Sequence, residues 1–137
     1  MLLPSSNMPI LTNLGKAALL RRIVDDSILP FVYIGVGQGE APLSSDDDRL
    51  DKEILSDGFQ RKAAEIKIKQ DEKGNDVIVF SAVFSGAKNV VITEVGLFNS
   101  NSGGVMLVRD IVGQFGMRAG TEYECRFRLD LKDVVRE

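Results

Sequence analysis

The stretch Val90–Val112, VVITEVGLFNSNSGGVMLVRDIV, constrains the fold more than any other part of the chain. Two β-branched, apolar runs flank Asn99-Ser100-Asn101-Ser102-Gly103-Gly104, a cluster of turn formers that predicts a β-hairpin. A symmetric register with Phe98 opposite Val105 sets Leu97 opposite Met106, Val95 opposite Val108 and Val91 opposite Val112, and these three pairs give one apolar face. On the other face the same register sets Glu94 opposite Arg109, and opposite charges are the favoured cross-strand arrangement. The expectation is a structural ion pair, Glu94 with Arg109, inside an apolar hairpin.

Much of the remaining chain alternates in the same way. Phe59–Gln70 places Ala64, Ile66 and Ile68 on one side, with Arg61, Glu65, Lys67 and Lys69 on the other. A polar turn at 71–76 then predicts that Val77–Ser85 returns antiparallel, and its two apolar faces make it a central strand. Thr121–Lys132 turns Tyr123, Cys125, Phe127, Leu129 and Leu131 inward, while Glu122, Glu124, Arg126, Arg128, Asp130 and Lys132 face out. Phe31–Val36 reads as a short buried strand, and Gly113–Gly120 as a glycine-rich loop whose apolar tip carries Phe115 and Met117. About six strands joined by mostly short loops imply a mainly β chain, an antiparallel β-sandwich or curved sheet with an N-terminal α-helix packed on it.

That helix is predicted over Asn13–Val24, with Thr12 as N-cap and Arg21 and Arg22 in the last turn, where positive charge suits the helix dipole. Gly15 costs it about 1 kcal/mol relative to alanine, so the helix needs tertiary support. Leu14, Ala17, Leu20 and Val24 gather on one side, and Leu19 with Ile23 form a second stripe. Two readings stay open: both stripes lie in a deep groove of the helix's own domain, or one packs on the domain and the other on a neighbouring subunit. Residues 1–9 are expected to be a flexible arm and 10–137 a single β-rich domain.

Composition removes several classes of function. A net charge of −3 with acids and bases interspersed does not suit a nucleic-acid binder. No apolar run is long enough to cross a bilayer, and the first residues lack the basic and apolar regions of a signal peptide, so synthesis in a cytoplasm is expected. The chain has no histidine, which removes Ser-His-Asp and Cys-His catalysis and His-containing zinc sites. Cys125 is the single cysteine and lies on an inward strand face, where packing is the default role.

Two motifs invite ligand readings and fail on spacing. Gly35-Val36-Gly37-Gln38-Gly39 follows a strand, but Glu40 stands where a GxGxxG needs its third glycine, so a turn leaving the strand is expected. Asp46-Asp47-Asp48 lacks the spacing of an EF-hand loop and reads as the first turn of a short acidic helix through Leu50 and Ile54, capped by Ser44 or Ser45. Carboxylate-pair catalysis remains, with Glu94 as the inward acid, but the hairpin register already supplies Arg109 as its partner. The expectation is a protein with no catalytic residue, no cofactor and no metal site.

A resemblance adds a functional class. Thr12-Asn13-Leu14-Gly15-Lys16 opening a helix, then Phe31-Val32-Tyr33-Ile34-Gly35-Val36-Gly37 and the loop Ala41–Asp46, is similar to the start of tail-associated structural proteins of tailed bacteriophages. Ile92-Thr93-Glu94-Val95-Gly96-Leu97-Phe98-Asn99, with the returning Gly103–Arg109, resembles a strand pair of tail-fibre and tail-collar proteins. The resemblance covers about 120 residues of the chain and implies a virion component of the tail, collar or baseplate, or an adaptor. In tail fibres such a module precedes a long shaft, whereas this chain stops at Glu137, so a stand-alone module is expected.

The implied partners are other virion structural proteins and further copies of the chain in a trimer or ring, with no nucleic acid and no membrane. Candidate interface residues are Leu19, Ile23, Phe115 and Met117, together with the N-terminal arm. The alternatives are a head decoration protein, or a receptor- or carbohydrate-binding module at a virion tip. The latter would use Asn99–Gly104 together with Gly113–Gly120 and contact a host receptor.

Overall fold

A computed structural model describes residues 9–130 and Arg136. Its elements are β1 (Ile10–Leu11), α1 (Asn13–Arg22), β2 (Tyr33–Gly37), β3 (Lys62–Ala63), β4 (Glu65–Gln70), β5 (Asp76–Ser85), β6 (Val90–Phe98), β7 (Met106–Met117) and β8 (Glu122–Leu129). They form two antiparallel sheets, one in the order β1-β7-β6-β2-β3 and the other β4-β5-β8. The expected mainly β fold with one N-terminal helix is what forms, and β5 is central in its sheet.

The inner faces meet in one core. Ile34, Val36, Ile92, Val95, Leu97, Leu107 and Val108 from the larger sheet pack with Phe80, Ala82, Phe84, Cys125 and Phe127 from the smaller one. In β8 the expected inward residues Tyr123, Cys125, Phe127 and Leu129 all turn to this core, while the expected positions of Leu131 and Lys132 lie outside the described residues. The expected flexible arm lies outside them too, apart from Pro9.

The hairpin forms, but not in the symmetric register. Phe98 pairs with Met106, Leu97 with Val108, Val95 with Asp110, Glu94 with Ile111 and Val91 with Gly116. Register shifts fall between Leu97 and Phe98 and between Ile92 and Glu94, each placing extra residues in β7. Gly113, at φ +75°, supplies the left-handed residue that the second irregularity needs. Consequently the expected glycine-rich loop at Gly113–Gly120 is largely strand, since β7 continues to Met117 and only the last residues turn.

Two further expectations fail for local reasons. The strand expected over Phe59–Gln70 divides at Ala64. Lys62 and Ala63 pair with β2 in the larger sheet, and Glu65–Gln70 pairs with β5 in the smaller one, so the chain changes sheets there. The short acidic helix does not form: 44–54 is a run of turns, because its backbone is drawn down onto buried side chains described below.

Helix α1 begins as expected. Thr12 Oγ1 accepts from Gly15 N at 2.9 Å and donates to Met106 O, while Thr12 N donates to Leu107 O at 2.9 Å, which ties the cap to β7. A Cβ on Gly15 would lie 2.5 Å from Leu107 Cα, so the glycine that weakens the helix in isolation is what seats it on the sheet. Its buried residues are Gly15 and Ala18, whereas Leu14, Leu20 and Val24 are exposed. Of the two readings of this helix, a deep groove enclosing both stripes is therefore absent.

Candidate functional site

The outer face of the larger sheet carries an unusual pattern. Gly37 pairs with Glu94 and Gly35 with Gly96 across β2 and β6, so beyond Tyr33 one face of β2 carries no side chain, while Ile34 and Val36 fill the other. Such glycines in a strand mark a close approach by other groups. Here the approaching group is an irregular strap, residues 38–61, that crosses this face.

Glu94 fastens the strap. Its Oε1 accepts from Asp51 N at 2.8 Å and from Arg109 Nε and Nη2 at 3.1 Å each. Its Oε2 accepts from Gly39 N at 2.8 Å and Lys52 N at 2.7 Å. The neighbouring Thr93 Oγ1 donates to Gly39 O at 2.6 Å, so Gly39 is held through both its N–H and its carbonyl. Glu94 and Arg109 are 0% and 1% exposed, which would be costly without this full set of partners.

Arg109 completes the cluster from the neighbouring strand. Its Nη2 donates to Ala41 O at 2.9 Å, and Nη1 donates to Pro42 O at 3.3 Å and to Asp47 Oδ2 at 3.1 Å. The expected Glu94–Arg109 ion pair is therefore present, although Arg109 pairs with Gly96 in the sheet. A register displaced by two residues keeps both side chains on one face as diagonal neighbours. Asp47, expected at a helix start, instead extends the ion pair.

A second cluster holds the other end of the strap, and the sequence reading missed it. Arg61 Nε and Nη2 bind Glu53 Oε2 and Oε1 at 2.8 and 3.0 Å in a bidentate pair. Arg61 Nη1 donates to Ser100 O and Gly103 O at 2.9 and 2.7 Å, and the guanidinium lies 3.5 Å over the Phe98 ring centroid. The hairpin loop is thus clamped from the strap. The readable signal was Gly35: a Cβ there would fall 2.9 Å from Glu53 Oε2 and 3.2 Å from Arg61 Cγ.

The chemistry open to these clusters is restraint. The Glu94 carboxylate is saturated by five donors and has no solvent path, so it has no free lone pair with which to take a proton from a bound molecule. The glycine run does present a backbone amide to an anion, as phosphate-binding loops do, but the anion is the chain's own Glu94.

A different carboxylate is perturbed. Asp110 lies on the inner face beside Val108 and Val112, and its Oδ1 is buried without a hydrogen-bond partner among the described residues. Burial pushes its carboxyl up to about 6. It borders a groove of about 580 Å³ lined by Ile10, Leu11, Leu97, Phe127 and Leu129. Burial likewise pushes the Cys125 thiol up to about 12, which keeps it protonated and in its packing role.

The candidate interface residues divide. Ile23 is 77% exposed and Phe115 is half-exposed, its ring centroid 4.9 Å from that of Tyr123 with the planes tilted by 54°. Leu19 is half-buried against the core, and Met117, only 4% exposed, is a core residue rather than an exposed tip. The alternation of β7 carries Met117 inward where it pairs with Val90. Asn99–Gly104 and Gly113–Gly120 lie toward opposite ends of the hairpin, so the structure does not join them into one binding surface.

Among the described residues, no group of three or more His, Cys, Asp or Glu side chains is arranged to hold a metal ion, and no helix is long and apolar enough to cross a membrane. No protein-family model matches the chain, and neither a curated protein nor a solved structure matches it.

Proposed function

We propose that the chain is a non-enzymatic structural component of a tailed-phage virion, in the tail, collar or baseplate or as an adaptor, working by self-association and docking onto other virion proteins. The observation that carries this reading is the use made of Glu94. In the segment Ile92–Asn99, on which the resemblance to tail-fibre and tail-collar proteins rests, the single acid is spent on holding the strap. Arg109, from the returning half of the same motif, is spent on the same task. A motif whose charged residues are all internal restraints suits a rigid building block.

The site of action is then the surface the scaffold presents, not the clusters themselves. The strap, the clamped hairpin loop and the helix seated on β7 give that surface a fixed shape, which repeated contacts in an assembly require. The test is co-expression with the products of neighbouring genes, followed by reconstruction of the particle they encode. The expected result is capsid, portal or tail genes alongside, and the sandwich located in the tail or collar. A neighbourhood of cellular genes, with no association with any virion protein, would contradict the proposal.

A further inference from the structure

Helix α1 is seated on its own domain through small residues, with Leu19 half-buried beside them, and leaves Leu14, Leu20 and Ile23 exposed. Gly15 and Ala18 form the buried side. At 100° per residue Ala17 and Leu20 fall on the opposite side, and Ile23 and Val24 follow at the C-terminal end of the helix. Leu20, Ile23 and Val24 are 68%, 77% and 88% exposed. A helix lying on a domain ordinarily turns its apolar stripe to the core. An inverted one, with large apolar side chains clustered outward, marks a contact surface.

We propose that this outward stripe is a twofold contact with a second copy of the same chain, the two helices crossing antiparallel near Leu20. The flanking charges select the occupant. Lys16 sits beside the stripe one turn before Leu20, and Asp25 and Asp26 follow Val24, all three exposed. An antiparallel crossing brings Lys16 to Asp25 and Asp26 of the partner subunit at both ends of the contact, whereas a parallel one sets like charge against like. Two identical patches that meet antiparallel are related by a twofold axis.

The contact is limited in size. A ten-residue helix is about 15 Å long, short of supplying the roughly 800 Å² per partner of a stable dimer. In isolation the dimer is therefore reversible and concentration-dependent, and other contacts in an assembly make it permanent. The inference rests on the self-association reading above and specifies one of its surfaces.

Sedimentation velocity of the full chain over a concentration series tests it. The wild type should show a monomer–dimer equilibrium, and Leu20→Glu with Ile23→Glu should weaken it by roughly tenfold or more without changing the melting temperature measured at dilutions where both chains are monomeric. Lys16→Glu should weaken it too, and mixing that chain with the Asp25→Lys, Asp26→Lys chain should restore a heterodimer. Leu20→Cys should cross-link into a dimer on oxidation, while Asn101→Cys at the hairpin tip should not.

A dimer indifferent to Leu20→Glu with Ile23→Glu places self-association on another surface and overturns this inference alone. A wild type monomeric at every concentration overturns it as well. If that monomer still joins virion proteins, the proposed function stands; if it joins none, both readings fall.

Discussion

A Cβ on Gly37 would lie 2.5 Å from Oε2 of Glu94. The glycine is what lets a buried carboxylate lie across β2 and reach the backbone of the strap. A Cβ on Gly39 would meet the same oxygen at the same distance and Asp51 Cβ at 2.3 Å, so two glycines in one short run serve one side chain.

Gly37→Ala should therefore destabilise the fold by about 2–3 kcal/mol through forced displacement of Glu94 and of Lys52 O. Gly116 provides the control, since nothing lies within 4 Å of a Cβ there, and Gly116→Ala should stay within about 0.5 kcal/mol of wild type. Urea unfolding measures both, and equal losses at the two positions would remove the steric argument.

Arg61→Lys keeps the charge and loses the geometry. An ammonium cannot hold Glu53 through two parallel bonds, reach Ser100 O and Gly103 O, and cover the Phe98 ring at once. The expected loss is about 1–3 kcal/mol, with faster amide exchange across 99–104. Unchanged protection in that loop would mean that the clamp does not restrain it.

Asp110 gives the chain a pH dependence opposite to that of an ion-paired acid. Its folded carboxyl binds a proton more tightly than the unfolded one, at about 6 against roughly 3.9. Its contribution therefore favours the fold most below about pH 4, declines as pH rises from about 4 to 6, and is level above that. Because the side chain is only partly buried, solvent screening reduces the effect to on the order of 1 kcal/mol. Melting curves of wild type and Asp110→Asn should converge at acid pH and separate across this window, the variant being the more stable at neutral pH. Parallel curves would refute the assignment.

The parts of the fold written as strict alternation were legible from sequence. Tyr123, Cys125, Phe127 and Leu129 face inward because their period matches the pleat, and Val77–Ser85 is central because both its faces are apolar. What escaped depends on contacts between distant segments. The symmetric hairpin register missed the extra residues in β7, although a shift of two kept Glu94 and Arg109 on one face. The two apolar stripes of helix α1 do not show that Gly15 and Ala18 form its buried side, because that depends on the close approach to Leu107. The Glu53–Arg61 clamp left one trace, a strand with glycines at alternate positions, Gly35 and Gly37. That pattern announces an uncovered face without saying which acid or base fills it.

Glu94 and Arg109 act as one internal restraint, and a double-mutant cycle by chemical denaturation tests that directly. Arg109→Leu leaves Glu94 buried without its guanidinium and should cost about 3–5 kcal/mol. Glu94→Gln turns an amide donor toward the strap's N–H groups and should itself be destabilising. Combined with Glu94→Gln, the predicted coupling energy is on the order of 2 kcal/mol or more. Losses that add within about 0.5 kcal/mol, or an Arg109→Leu protein that melts like wild type, would contradict the account.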